Sequence, residues 1–328
     1  MKILILTHQE VEELLPVDEC IPVMSEALSD LARGRTFLPL RMVITPPGAA
    51  GDMAVMPAYR SGDQAAYGVK VVCFFPGNPS KGLDSHQGSV MLFSGETGEL
   101  LALMNASAIT AIRTAAVSGA ATKLLARENA NELAIIGSGV QARAHLAAMA
   151  CVRKIKRARV ASLRFDNAKR FAAEFASRYS FPIEPVESVE QAISGADLIV
   201  TATTAETPIL KLDWISAGAH LNVVGSSIPR TREIDSATIA AASLFVDRRE
   251  STMNEGGDYL FALREGAIGP DHIKAEIGEL LIGSKTGRTS DNEITIFKSL
   301  GLAVEDLASA GYLYQKAQKS NKGAWVEY

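Results

Sequence analysis

The chain has 328 residues, of which 47% are apolar and 21% charged, and its formal net charge is −4. This length predicts two domains, and the charge balance gives no electrostatic argument for nucleic-acid binding. No apolar run reaches the roughly 18 residues that span a bilayer, and the N-terminus lacks the pattern of a signal peptide. Three scattered cysteines and five histidines without ligand spacing predict a reduced, cytoplasmic protein without a metal site.

The first third of the chain changes from a helical to a strand-like pattern. Residues 8–34 have apolar residues at helical spacing and end on Arg33-Gly34, as helices commonly do. From Leu38 to Phe93 short apolar runs alternate with turns rich in Gly, Pro and Asp, which predicts an antiparallel or mixed sheet. An alanine-rich helix is predicted over Thr110–Ala126.

From Glu132 the pattern alternates between apolar strands and helices, which predicts an α/β fold with a doubly wound parallel sheet of the Rossmann type. The predicted strands are 132–136, 157–162, 182–184, 196–201, 219–224 and 243–247. After about residue 270 the pattern is interpreted as helical again, with a short apolar run at 294–297. A final helix over 302–318 is expected to pack on the N-terminal domain.

A glycine-rich turn is the strongest chemical signal in the chain. The apolar run Leu133–Ile136 leads directly into Gly137-Ser-Gly139, and a helical pattern follows. A strand, a tight turn and a helix N-terminus together form a binding site for the pyrophosphate of a dinucleotide. We therefore expect the turn to bind a coenzyme, through the residues Gly137, Ser138, Gly139, Val140 and Gln141, although an ordinary strand–helix turn is the alternative.

The end of the second predicted strand indicates which coenzyme binds. An acidic residue there would favour NAD by hydrogen bonding the adenosine ribose, but the chain has Ser162 and Arg164 and no acid until Asp166. A hydroxyl and a guanidinium can both bind a 2′-phosphate. The sequence therefore favours NADPH over NADH, unless Arg164 is only a solvated surface residue.

Three cations in the first domain indicate an anionic substrate. Arg41, Lys70 and Arg113 each stand among apolar neighbours, where a cation must reach water or find an anion. Each alone is commonly a surface residue with its stem buried, but together they predict a site for a carboxylate.

Five segments in the same order resemble the ornithine cyclodeaminase/mu-crystallin family, and the resemblance runs nearly end to end. They are Ser85–Phe93, Thr97–Asn105, Thr110–Ala116, Gly137–Ala142 and Ile296–Asp306. The resemblance implies a Rossmann dinucleotide-binding domain over residues 121–299. It also implies an α+β substrate and dimerisation domain over residues 1–120, completed by 300–328, and hence a homodimer.

The resemblance also implies roles for individual residues. Arg41, Lys70 and Arg113 would hold the carboxylate of the substrate, and Arg113 and Thr114 would reach the coenzyme phosphates. The remaining coenzyme contacts would come from residues on the nicotinamide side, namely Ser85, His86, Thr203, Val224, Gly225, Ser226, Ser299 and Leu300. For His86 the alternative is a buried core histidine, and for Ser299 a simple turn residue.

Ser227 is the fourth residue expected in the catalytic site, with Arg41, Lys70 and Arg113, and it indicates which activity within the family applies. Ornithine cyclodeaminases carry an aspartate at this position, whereas the ketimine reductases of the family resemble this chain in having serine. A serine hydroxyl is not a base near neutral pH unless it is activated. The resemblance thus favours an NAD(P)H-dependent reductase that converts Δ1-pyrroline-2-carboxylate or Δ1-piperideine-2-carboxylate to proline or pipecolate. Ornithine cyclodeamination, an alanine dehydrogenase activity and non-catalytic ligand binding remain as alternatives.

Overall fold

The structure is a computed structural model that describes residues 2–328. It divides into two compact units, and the boundary lies between Arg113 and Thr114. The split unit contains the residues up to Arg113 together with Leu302–Tyr328, and the central unit is Thr114–Gly301.

Within the described residues, sixteen strands form two sheets. In chain order they are β1 Lys2–Leu6, β2 Thr36–Phe37, β3 Met42–Ile44, β4 Asp52–Arg60, β5 Ala66–Phe74, β6 His86–Ser94, β7 Leu100–Asn105, β8 Glu132–Ile136, β9 Arg157–Ala161, β10 Ile183–Pro185, β11 Leu198–Thr201, β12 His220–Val223, β13 Ser243–Val246, β14 Ile273–Glu276, β15 Thr295–Lys298 and β16 Ala324–Glu327.

Eleven α-helices lie within the same residues. In chain order they are α1 His8–Leu14, α2 Val17–Ala32, α3 Ala106–Leu125, α4 Val140–Val152, α5 Phe165–Phe175, α6 Val189–Ile193, α7 Ser236–Ala241, α8 Arg249–Glu255, α9 Gly257–Arg264, α10 Ile277–Leu281 and α11 Ala303–Ser320. Among them, no helix is both long enough and apolar enough to cross a membrane.

The split unit is built on a mixed sheet, as the sequence predicts. The strand order is β16-β1-β7-β6-β5-β4-β2, with β3 paired to β4. Strands β1 and β7 pair in parallel, and all other neighbouring strands of this sheet pair antiparallel. Helix α11 packs against α2 and across β4, β5 and β6, which confirms that the C-terminal helix packs on the N-terminal elements. The approach is close, because a Cβ on Gly68 of β5 would lie 2.8 Å from Leu307 of α11.

The central unit is a parallel sheet in the order β10-β9-β8-β11-β12-β15-β13-β14. The first five strands follow the Rossmann order, in which the chain winds outward in both directions from β8. The six predicted strands of this region are all present, which confirms the doubly wound fold.

The prediction that the chain is helical after residue 270 is confirmed for α10 and α11 but was wrong for two segments. Strands β14 and β15 both lie in this region, and β15 inserts between β12 and β13. All four residues of β15 are buried, so its sequence has no alternation to distinguish it from a buried helix segment. Strands β1 and β7 were also not predicted. Strand β1 ends at Leu6, and the side chain of the next residue, Thr7, caps α1 through a capping box with Glu10.

Candidate active site

The glycine-rich turn has the geometry that a pyrophosphate requires. Gly137 has φ +116°, and a Cβ there would lie 2.4 Å from the carbonyl oxygen of Ala202, so only glycine fits. Gly139 is the N-cap of the 13-residue helix α4, and no heavy atom lies within 4 Å of the place its Cβ would take. A phosphate can therefore approach the backbone at the helix N-terminus, and the site fits a dinucleotide.

Neighbouring side chains complete this turn. Ala142 is fully buried, as close packing of α4 on the sheet requires. The hydroxyl of Ser138 lies 2.9 Å from that of Ser162, just after β9. Val140 is exposed and Gln141 is half-buried on the first turn of α4. The structure thus brings Ser138 and Ser162 together, as neighbouring parts of one predicted coenzyme site.

The other residue predicted after β9 is solvent-exposed. Arg164 is the N-cap residue of α5, and its side chain makes no capping hydrogen bond. Asp166, the first acid after the strand, forms an ion pair with Lys169 at 2.5 Å. No carboxylate stands at the end of β9 where the ribose of NAD would be hydrogen bonded.

Six of the eight residues predicted for the nicotinamide side follow three neighbouring strands. Thr203 follows β11, Val224–Ser226 follow β12, and Ser299 and Leu300 follow β15. In a parallel sheet the carboxyl ends of the strands share one edge, and ligands bind in the crevice there. The structure therefore groups these predicted residues on the edge that also carries the glycine turn.

Buried carboxylates that the sequence analysis did not name organise these strand ends. Asp247 accepts the backbone N–H groups of Leu300 and Gly301 at 2.6 and 2.8 Å. Glu233 accepts four hydrogen bonds, among them one from the N–H of Gly225 at 2.7 Å. Ser299 is 2% exposed, and its N–H donates to the carbonyl of Val223. Nothing in the local sequence distinguishes these acids from surface acids.

The split unit holds a buried cluster of four charges. The Nζ of Lys70, on β5, lies 2.7 Å from Asp306. The guanidinium of Arg113, on α3, lies 3.1 Å from Asp306 and 2.7 Å from Glu305. All four residues are at most 3% exposed, so each cation has the anion that burial demands. Two of the three predicted cations thus meet at one site.

The two acids of this cluster were missed as functional residues. Glu305 and Asp306 lie in the first turn of α11, where acids are common because of the helix dipole. Because of that general preference, acids at these positions do not by themselves indicate a functional site. The signal that could have identified them is that the residues on both sides of them, 300–304 and 307–310, are almost all apolar or small.

Lys70 has an unusual protonation equilibrium. Its pKa is lowered to about 8, chiefly because burial removes water from the ammonium group, while Asp306 opposes this shift and Arg113 adds to it. The ammonium also donates to the hydroxyl of Thr110 at 3.4 Å. A lysine with a pKa near neutrality can transfer a proton at physiological pH.

The other predicted residues of the split unit surround this cluster. Arg41 lies just before β3 and is half-buried, and its charge contributes to lowering the pKa of Lys70. His86 begins β6, and its Nδ1 lies 3.2 Å from the hydroxyl of Ser85. Its pKa is lowered by loss of hydration and then by the charges of Lys70 and Arg113. His86 is exposed overall, although its ring packs against that of Phe74 with the ring centroids 4.9 Å apart, so it is not the buried core histidine of the alternative interpretation.

Two predicted residues of the central unit lie outside these clusters. Thr114 follows Arg113 on α3 and is 6% exposed. Ser227 is half-buried in the loop beyond Ser226. The roles assigned to both residues remain predictions.

The fold and the glycine turn define a protein of the Rossmann dinucleotide-binding class. The sequence pattern of the ornithine cyclodeaminase/mu-crystallin family matches residues 1–321. The chain belongs to that family, which confirms the resemblance.

Three relatives illustrate the similarity. The chain is 41% identical to the Δ1-pyrroline-2-carboxylate reductase of Thermococcus litoralis, solved in complex with NADH and L-proline, with a TM-score of 0.96 over 99% of this chain and 100% of the other. It is 39% identical to the ketimine reductase mu-crystallin of Mus musculus, over 94% of this chain and 96% of the relative. It is 36% identical to an archaeal alanine dehydrogenase dimer with bound NAD, with a TM-score of 0.93 and full coverage of both chains.

Proposed function

We propose that the protein is an NAD(P)H-dependent reductase of a cyclic ketimine 2-carboxylate. Its substrate would be Δ1-pyrroline-2-carboxylate or Δ1-piperideine-2-carboxylate, and its product proline or pipecolate. The observation that carries the proposal is the buried Lys70, whose pKa of about 8 suits a proton donor to an imine nitrogen. The relatives that are named as reductases of such imines support it.

Cations in the split unit support a carboxylate substrate. The charge of Arg41 contributes to lowering the pKa of Lys70, so Arg41 lies near the ion pairs that Lys70 and Arg113 form with Asp306 and Glu305. We propose that Arg41, Lys70 and Arg113 hold the substrate carboxylate, because a planar guanidinium suits the geometry of that group.

The reaction adds a hydride and a proton across the C=N bond. The reduced coenzyme, when bound, supplies the hydride to the imine carbon. In our proposal the ammonium of Lys70 donates the proton to the imine nitrogen, which makes the neighbouring carbon a better hydride acceptor, and water then reprotonates the lysine. Holding the carboxylate in place supplies the orientation that such a bimolecular step needs.

Each unit would have its own part in this reaction. We propose that the central unit binds the dinucleotide through Gly137–Gln141 and the loops after β11, β12 and β15, and that the split unit binds the substrate. We further propose that NADPH is preferred over NADH, because Ser162 and the exposed Arg164 follow β9 where an acid would select NAD. The ratio of kcat/KM for the two coenzymes tests this preference.

The protein would act as a homodimer. Large apolar side chains on and beside the short strands β2 and β3 are 42–72% exposed, as is Tyr67 on β5 at 52%. Grouped exposed apolar side chains of this kind commonly mark an association surface, and the related alanine dehydrogenase is a dimer. The prediction is that Val43→Lys gives a monomer by light scattering, while Val326→Lys, at the opposite edge of the same sheet, does not.

A panel of substrates tests the activity itself. Each imine acid, ornithine, and pyruvate with ammonia is offered to the enzyme with NADPH or NADH, or with the oxidised coenzymes for ornithine. We expect oxidation of reduced coenzyme with the imine acids. Turnover of pyruvate and ammonia alone would instead favour the alanine dehydrogenase alternative, which the 36% identical neighbour makes the second candidate. Ser227 argues against ornithine cyclodeamination, since it lacks a group that is basic at neutral pH.

The location proposed for this activity is the cytoplasm. Cys20, Cys73 and Cys151 are all free, which suits a reducing compartment.

A further inference from the structure

A fully buried carboxylate links two of the strand-end loops in the central unit. The Oε1 atom of Glu233 accepts the backbone N–H of Thr203 at 2.8 Å and its hydroxyl at 2.7 Å. The Oε2 atom accepts the hydroxyl of Thr201 at 2.8 Å and the N–H of Gly225 at 2.7 Å. Four donors fill the acceptor positions of a carboxylate, so Glu233 ties the end of β11 to the end of β12.

A buried ion pair, formed by Asp258 and Lys298, holds the backbone of Glu233 in place. The Oδ1 atom of Asp258 accepts the N–H groups of Glu233 and Ile234 at 2.8 and 3.1 Å. The other oxygen of Asp258 lies 2.9 Å from the Nζ of Lys298, the last residue of β15. Lys298 in turn donates to the carbonyl of Ser226. The network therefore reaches all three strand ends that were predicted to border the nicotinamide.

The packing around Gly225 and these carboxylates is close. A Cβ on Gly225 would lie 2.2 Å from the carbonyl oxygen of Thr203 and 2.4 Å from Oε1 of Glu233. Glu233 is 0% exposed and Asp258 1% exposed, so water cannot replace the lost acceptor if either carboxylate is removed. Buried networks of this kind fix one geometry when every member is satisfied.

We propose that Glu233 is a positioning residue for the nicotinamide half of the coenzyme site. It does not touch the coenzyme, because it is enclosed by its four donors, and it acts by holding Thr203 and Gly225. The adenosine half of the site is expected at the glycine turn and after β9. None of the four hydrogen bonds to the carboxylate of Glu233 comes from those two segments. This inference rests on the coenzyme site of the proposed function.

The test compares the whole coenzyme with a fragment that lacks nicotinamide. Isothermal titration calorimetry measures the Kd of the more tightly bound of NADPH and NADH, and that of the matching fragment, 2′-phospho-ADP-ribose or ADP-ribose. In Glu233→Gln one carboxylate oxygen becomes an NH₂ group that faces an N–H donor, which breaks the network at constant size. We expect the Kd of the coenzyme to rise about tenfold or more and that of the fragment to stay within about twofold.

A matched control has the same chemistry at the other edge of the sheet. Asp197 immediately precedes β11 and accepts the N–H groups of Asn131 and Glu132 at 2.8 and 3.1 Å, and it pairs with Arg127. Asp197→Asn removes a carboxylate of similar structural importance, so it should lower the melting temperature without separating the two Kd values.

Thr201→Val provides a milder second variant if Glu233→Gln does not fold. It removes one donor from the network at nearly constant volume, and the same split between coenzyme and fragment is expected at about threefold. Equal weakening of coenzyme and fragment, or no weakening of either, would overturn the proposal. A wild-type protein that binds neither molecule would contradict the coenzyme site, and this proposal with it, whereas normal wild-type binding without the split would contradict the role of Glu233 alone.

Discussion

The role of Lys70 as proton donor can be tested by removing the anion that keeps it protonated. Asp306 lies 2.7 Å from the Nζ of Lys70, and its charge opposes the fall in the pKa of Lys70 that burial causes. In Asp306→Asn that opposition is lost while the charge of Arg113 remains. The pKa of Lys70 should therefore fall below about 8.

The size of the effect follows from the usual strength of such contacts. An adjacent opposite charge moves a pKa by about 1–3, so the pKa of Lys70 in the variant should lie near 6. At about pH 7.5 the protonated fraction of Lys70 would then fall from about three quarters to about 3%, and kcat/KM by roughly 25-fold. Because the ammonium form is the active form, activity is lost as pH rises through the pKa, and lowering the pH should restore it.

The assay is the pH profile of kcat/KM for imine reduction. Wild-type enzyme should lose activity above pH 8, and Asp306→Asn should lose it about two pH units lower. Glu305→Gln is the matched control on the same helix, because Glu305 pairs with Arg113 at 2.7 Å and should affect substrate binding without moving the alkaline limb. A loss of activity in Asp306→Asn that is equal at every pH would refute the assignment of Lys70 as the acid.

Three further outcomes are expected. Lys298→Met leaves the buried carboxylate of Asp258 uncompensated and should lower the free energy of unfolding by about 3–5 kcal/mol in urea denaturation; a change below about 1 kcal/mol would contradict the ion pair. Gly137→Ala forces a Cβ to within 2.4 Å of the Ala202 oxygen and should abolish coenzyme binding in calorimetry, so a Kd within about twofold of wild type would show that the turn can adapt. Arg164→Ala should lower kcat/KM for NADPH about tenfold and leave that for NADH nearly unchanged; equal effects on both would remove Arg164 from 2′-phosphate recognition.

The parts of the fold that could be predicted from the sequence are those encoded locally. The strand at Leu133–Ile136, its glycine turn and the following helix lie within one short segment, and each residue type has a local physical reason to be there. Strand β15 was missed because its four residues are buried on both faces, and a buried run has no alternation to detect.

Residues of the candidate site could be predicted only where the residue type is unusual among its sequence neighbours. A cation among apolar residues must reach water or find an anion, and Lys70 and Arg113 both find buried carboxylates, while their predicted contact with a substrate carboxylate stays a prediction. The partner itself was not predictable, because Asp306 meets Lys70 only through the packing of α11 on β5. The burial of Glu233 and Asp258 could not be predicted for the same reason, because their hydrogen-bond and ion-pair partners lie at the ends of separate strands and in the loops after them.

The most direct measurement follows reduced coenzyme and product together. Purified protein is mixed with Δ1-pyrroline-2-carboxylate and NADPH, then with NADH, while the absorbance of the reduced nicotinamide is recorded and proline is quantified by chromatography. We expect coenzyme oxidation with one proline formed per coenzyme consumed, and loss of both signals in Lys70→Met. If the protein binds the coenzyme but leaves it reduced with both the five-membered and the six-membered imine acid, it is not a reductase of cyclic ketimine carboxylates.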